Sequence, residues 1–168
     1  MKTSPSFAEE TVGDPENRIL ILGIGNLLMG DEGVGVHLAH RLAEEEWPAG
    51  VSVEDGGTAG FQLMGYLDDY PVVILIDAAL EPERSGQFRL IRPRFSKDYP
   101  KSLSTHDIGL KDILDGMQLL GRMPNVYLFV VSISDMQPLY VGLSPETKAL
   151  LPEVAKAVRE LVMRELKS

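Results

Sequence analysis

Three residues in this 168-residue chain, Glu32, Asp77 and His106, have types and positions that suit metal or acid–base chemistry. Asp77 follows directly on residues 72–76 (VVILI). A carboxylate beside so apolar a run is costly to bury unless it is paired, hydrogen-bonded or bound to metal. Glu32 stands next to Asp31 in Gly30-Asp31-Glu32-Gly33, and His106 lies in Ser104-Thr105-His106-Asp107. Two oxygen donors and one imidazole suit a borderline divalent ion such as Ni²⁺ or Zn²⁺, with water in the remaining positions. A plainer reading stands beside this one. Asp77 caps a turn, His106 caps a helix, and Asp31 and Glu32 are a first-turn pair stabilised by the helix dipole.

Two further segments compete for the same role. Gly23-Ile24-Gly25-Asn26 invites a dinucleotide reading, with Asp55 placed to meet a ribose hydroxyl. Against it, Leu28 occupies the third glycine position, and Asp31 and Glu32 would repel a pyrophosphate at the helix N-terminus. Asp55-Gly56-Gly57-Thr58-Ala59-Gly60 reads as a dense turn. Its glycines admit positive φ and close approach of another backbone, so Asp55, Gly56, Gly57 and Thr58 are candidate contacts for an extended peptide. His37 and His40 share a helix face, but no carboxylate is clearly placed to complete a metal shell with them, and they read as helix-surface residues.

Alternating elements must position these residues. Residues 18–24 (RILILGI), 51–54, 72–76, 87–91 and 125–133 (NVYLFVVSI) read as strands, the fourth nearer an edge because it carries Gln87 and Arg89. Helices are expected over 33–46, 59–69, 106–120 and from Pro145 onward, the last capped by Ser144. Its apolar stripe is Leu150, Leu151, Val154, Val158, Leu161 and Val162. Strands separated by helix-length segments predict a three-layer α/β/α sandwich, with a mostly parallel twisted sheet of about five strands. In such sheets ligands bind in the crevice outside the carboxyl ends of the strands, where Glu32, Asp77 and His106 all reach.

Composition narrows the function classes. Hydrophobic residues make up 44% and charged residues 24%, ordinary for a globular protein, and the formal net charge is −9. That balance argues against duplex nucleic acid and against an anionic membrane surface as partners. No cysteine is present, so disulfides, thiol nucleophiles and thiolate metal sites are excluded. No apolar run approaches the roughly 20 residues needed to span a bilayer. The expectation is a cytoplasmic protein with a flexible tail over residues 1–17 and a single domain over 18–168.

Taken together, the motifs resemble a known family. Gly23-Ile24-Gly25-Asn26 with Leu28 and Asp31-Glu32-Gly33, then Asp55 to Gly60, Asp77-Ala78, Thr105-His106-Asp107-Ile108-Gly109-Leu110, and Gly142-Leu143-Ser144-Pro145 are similar to the NiFe-hydrogenase maturation endopeptidases. The resemblance runs in order from about Arg18 to the last helix. It implies an α/β/α peptidase, grouped with the aspartic-type endopeptidases, that trims the C-terminal extension of a hydrogenase large-subunit precursor after nickel insertion. It also implies cleavage after a basic residue, and that the family's metal-contacting Glu, Asp and His fall on Glu32, Asp77 and His106. Nickel would come with the nickel-loaded precursor, with Zn or Cd able to substitute in vitro. Asp77 and Glu32 are then the catalytic candidates, and His106 completes the metal set. Two other classes remain as alternatives: a non-hydrolytic, metal-sensing maturation chaperone, and a receiver-like domain phosphorylated on Asp77. Residues 132–135 (SISD) lack the lysine that a receiver site uses.

Overall fold

The computed structural model describes residues 15–58, 60–101, 103 and 108–168. His106 and most of the 1–17 segment lie outside them, although Pro15–Asn17 form a single 3₁₀ turn. The strands are β1 (Ile19–Ile24), β2 (Val51–Gly57), β3 (Val72–Leu80), β4 (Phe88–Ile91) and β5 (Asn125–Ile133). The helices are α1 (Val34–Ala43), α2 (Gly60–Asp69), α3 (Ile108–Leu119) and α4 (Pro145–Leu166). The five strands form one sheet in the order β2-β1-β3-β5-β4, parallel except for β4, which pairs antiparallel to β5 at the edge.

Side chains alternate across a strand, so the apolar runs supply two cores at once. Ile19, Ile21, Ile74, Ile76 and Phe129 face α1 and α4, where Val34, Leu38, Leu42, Val154, Val158 and Leu161 meet them. Leu20, Leu22, Val73, Leu75 and Leu128 face the other way, against Leu67 of α2 and Leu114 and Met117 of α3. The predicted three-layer α/β/α sandwich is the observed one.

Element boundaries differ from the expectation in three places that matter for the site. Gly30–Gly33 form a separate 3₁₀ turn, and α1 begins only at Val34. β2 runs on to Gly57, so Asp55, Gly56 and Gly57 end a strand instead of forming a turn, with a register shift opposite Gly23 and Ile24. β3 does not end before Asp77. Its pairing with β1 stops at Gly23↔Ile76, while its pairing with β5 continues to Leu80↔Ile133. Asp77 therefore lies inside a strand, at the point where the neighbour on one side has ended. Among the described residues no helix is long and apolar enough to cross a membrane.

Candidate active site

In the strand order β2-β1-β3, the chain leaves β1 to one side and returns on the other, a topological switch point where open α/β sheets hold ligands. Glu32 follows β1, and Asp77 sits in β3 just beyond the last pairing with β1. The turn carrying Glu32 packs against β3. Both residues are buried, Glu32 being 1% exposed and Asp77 fully covered. The Ala78 N–H donates to Asp77 Oδ1 at 2.8 Å, which fixes that carboxylate from its own strand.

Two glycines permit this closeness. Gly25 has φ +150°, and a Cβ on it would stand 2.3 Å from the Glu32 carbonyl oxygen. A Cβ on Gly35 would stand 2.2 Å from the Ile76 carbonyl oxygen and 2.3 Å from that of Ile24. Leu28 at the third glycine position does not prevent a close helix–strand approach, because Gly35 in the first turn of α1 makes it instead.

Asp31 plays a different part from Glu32 although both are buried. Ser144 donates to it twice, from its backbone N–H at 2.7 Å and from its hydroxyl at 2.7 Å. The Asp31 N–H donates to Gln137 Oε1 at 2.8 Å. Ser144 is also the N-cap of α4, its oxygen accepting from the Thr147 N–H at 3.3 Å. Asp31 thus latches the Glu32 turn to the positive end of a long helix, a role that a first-turn acid on its own helix would not have. Sequence separation hid it, since the partners are 113 residues apart.

Asp55 is exposed, and its Oδ2 lies 2.8 Å from His40 Nε2 while its Oδ1 accepts from the Gly57 N–H at 2.8 Å. His40 is an exposed helix residue, as read from the sequence, and Asp55 is a carboxylate neighbour that its spacing did not reveal. That engagement also leaves little of Asp55 for the ribose contact of the dinucleotide alternative. Burial holds His37 below the usual histidine pKa, reinforced by the charge of His40 and opposed by Asp31. A cavity of about 180 Å³ lies between the ends of β1 and β2, lined by Gly25, Asn26, Leu27, Asp55, Gly57 and Thr58. Three of the predicted peptide contacts thus line one concavity.

Among the described residues, no three His, Asp or Glu side chains are grouped to hold a metal. The structure brings Glu32 and Asp77 to one crevice, and the third predicted ligand, His106, lies outside the described residues.

Comparison with known proteins agrees with this fold. The family described as HycI, hydrogenase maturation protease, matches residues 36–161, three quarters of the chain. The chain is 31% identical over 150 residues to the hydrogenase 2 maturation protease of Escherichia coli K12, covering 85% of this chain and 92% of that protein. It is 34% identical over 152 residues to the hydrogenase expression/formation protein HupD of Rhodobacter capsulatus, covering 86% and 71% respectively. Among solved structures it is similar to the hydrogenase maturating endopeptidase HybD from E. coli, with TM-score 0.80 at 29% identity over 88% of this chain and 93% of that one. A solution structure of an endopeptidase from E. coli matches with TM-score 0.76 at 30% identity, covering 88% and 93%. The chain belongs to the hydrogenase maturation protease family.

Proposed function

We propose that this chain is an endopeptidase that removes the C-terminal extension of a NiFe-hydrogenase large-subunit precursor after nickel insertion. The observation that carries the reading is the pair of buried carboxylates, Glu32 and Asp77, at the β1–β3 switch point of a fold shared with maturation endopeptidases. Two carboxylates with the imidazole of His106 form a donor set suited to nickel, the metal being the substrate's own. A precursor carrying nickel offers these residues a contact that the nickel-free precursor cannot make. About 3 kcal/mol of such local discrimination gives a hundredfold preference.

On this reading Asp77 assists hydrolysis, the role that an aspartic-type grouping would give it. It accepts a proton from water as the water oxygen adds to the scissile carbonyl carbon, and returns that proton to the leaving amide nitrogen. The C–N bond then breaks, giving a new carboxyl terminus and a free extension. Glu32 assists by holding the metal-bearing end of the substrate. Asp55, Gly57 and Thr58 line the adjoining cavity as contacts for the extended segment, with Gly56 beside them. The reaction belongs in the cytoplasm on this reading.

The test is incubation of the enzyme with nickel-loaded and with nickel-free precursor, read by the mass of the large subunit. Loss of the extension only from the nickel-loaded form is expected. Binding without any mass change would replace the peptidase by a non-hydrolytic chaperone, and equal cleavage of both forms would remove nickel recognition. Calorimetric titration with Ni²⁺ or Zn²⁺ gives a second readout. His106→Ala abolishes binding on this reading, whereas His37→Ala and His40→Ala leave it nearly intact.

A further inference from the structure

Beside the turn that carries Glu32, four apolar side chains, Leu28, Leu139, Tyr140 and Val141, are exposed to solvent. Two loops build this ridge, one after β1 and one after β5, and backbone hydrogen bonds join them. The Tyr140 N–H donates to the Leu28 carbonyl at 3.2 Å, the Gly30 N–H to the Tyr140 carbonyl at 2.9 Å, and the Gln137 N–H to the Met29 carbonyl at 3.3 Å. Leu139 is 90% exposed and holds φ +58°. The left-handed region costs a non-glycine residue about 1–2 kcal/mol, so a strained and solvated leucine contributes nothing to the core. Single exposed apolar residues are normal, whereas several on joined loops mark an interaction surface.

We propose that this ridge is the docking surface for the folded body of the precursor protein. It seats an apolar depression next to the point where the C-terminal extension emerges. The inference rests on the reading of Glu32 and Asp77 as the cleavage site. Continuity with that site identifies the occupant. The Tyr140 carbonyl is bonded to Gly30, which stands at most about 7 Å along the chain from Glu32. Asp31, next to Glu32, is bonded to Gln137 and Ser144 on either side of the ridge loop. A protein substrate held at Glu32 therefore lies against the ridge. Self-association is the weaker fit, because four side chains fall well short of the roughly 800 Å² per partner that a stable interface buries. A small apolar contact suits an enzyme that must release its product.

The test compares Leu139→Asp/Val141→Asp with Leu119→Asp/Leu120→Asp. The latter pair is also exposed but sits at the end of α3, shortly before β5 begins, at the amino end of the strands and away from the ridge. Steady-state cleavage of full-length nickel-loaded precursor and affinity of the same variants in an Asp77→Asn background are measured. The ridge variant is expected to raise KM and Kd at least tenfold with kcat changed less than threefold, and the control to change neither. Leu28→Asp, on the other loop, gives the same direction. Circular dichroism melting shows that each variant is folded. Cleavage by the unsubstituted enzyme with unchanged KM and Kd in both ridge variants overturns the docking surface alone. No binding or cleavage by the unsubstituted enzyme overturns the reading of function and the surface with it. A dimer in sedimentation that dissociates in the ridge variant shows a self-interface and overturns the proposal.

Discussion

The two ends of the sheet treat charge differently. At the amino end, charges sit on the surface in ready-made pairs. Arg18 lies over the Tyr70 ring at 4.5 Å, Arg92 over Tyr127 at 4.8 Å, and Arg122 meets Asp68 at 2.8 Å. At the carboxyl end Asp31, Glu32 and Asp77 are buried. Surface pairs cost the fold little and return about 0–1 kcal/mol each. A buried carboxylate costs several kcal/mol before any partner is counted. Asp31 recovers that cost through the two hydrogen bonds its carboxylate accepts from Ser144, as Glu81 does through Arg89 and Ser132. The comparison sets acids whose partners tie distant elements together beside the two acids proposed above to act on the substrate, and substitutions can break it.

The largest effect is expected at Asp77. Asp77→Asn should lower cleavage of nickel-loaded precursor well beyond tenfold, and Glu32→Gln by at least tenfold, each with a melting temperature unchanged or raised. Rates and thermal melts of the same preparations check this. A collapse in stability with either substitution would move these acids into the structural class.

Asp31→Ala should instead strike the fold. Losing its bonds from Ser144 removes roughly 3 kcal/mol, since bonds to a charged group contribute about 1.5–3 each. For a chain of this size that is a fall of about 6–12 °C in Tm. Ser144→Ala should show part of the same loss, and a double-mutant cycle should find the two strongly non-additive.

Glu81 sharpens the comparison through pH. Burial pushes its carboxyl up, but the Arg89 hydrogen bonds and charge, with Ser132 and Arg84, outweigh this and hold the pKa below the ordinary 4.5. A carboxyl depressed in the folded state contributes stability that is present above pH 4.5 and lost as pH falls through the folded value. Glu81→Gln should therefore lower stability at neutral pH and flatten its decline below pH 4.5, measured by denaturant melts across pH 3–7.

The smallest effect belongs to the amino end. Arg122→Ala removes the 2.8 Å pair to exposed Asp68. It should cost at most about 1 kcal/mol and leave cleavage unchanged. A tenfold change in rate would show that this end also meets the substrate.

Much of this was legible in the chain itself. β5 was read at its observed bounds, Asn125–Ile133, because a long apolar run between turn residues admits few other structures. The α4 stripe and the Ser144 cap were equally plain, being set by local spacing. Strand ends were not. Whether β3 stops at Asp77 or continues to Leu80 depends on β5 lying alongside it, not on its own residues. The glycine pattern of the first turn was misleading for the same reason, since Gly35 rather than position 28 makes the close approach.

Residue types and local order thus determined the layers and the parallel sheet and made Glu32 and Asp77 candidates, because apolar periodicity and the cost of burying a carboxylate act over a few residues. The tertiary structure decided which of the two adjacent acids is spent on the fold. It also decided that His40 meets Asp55 across two elements, and that two apolar loops lie joined beside Glu32. Those outcomes depend on partners up to 113 residues away. No short-range pattern carries such a partner, because only the packed sheet brings the segments together.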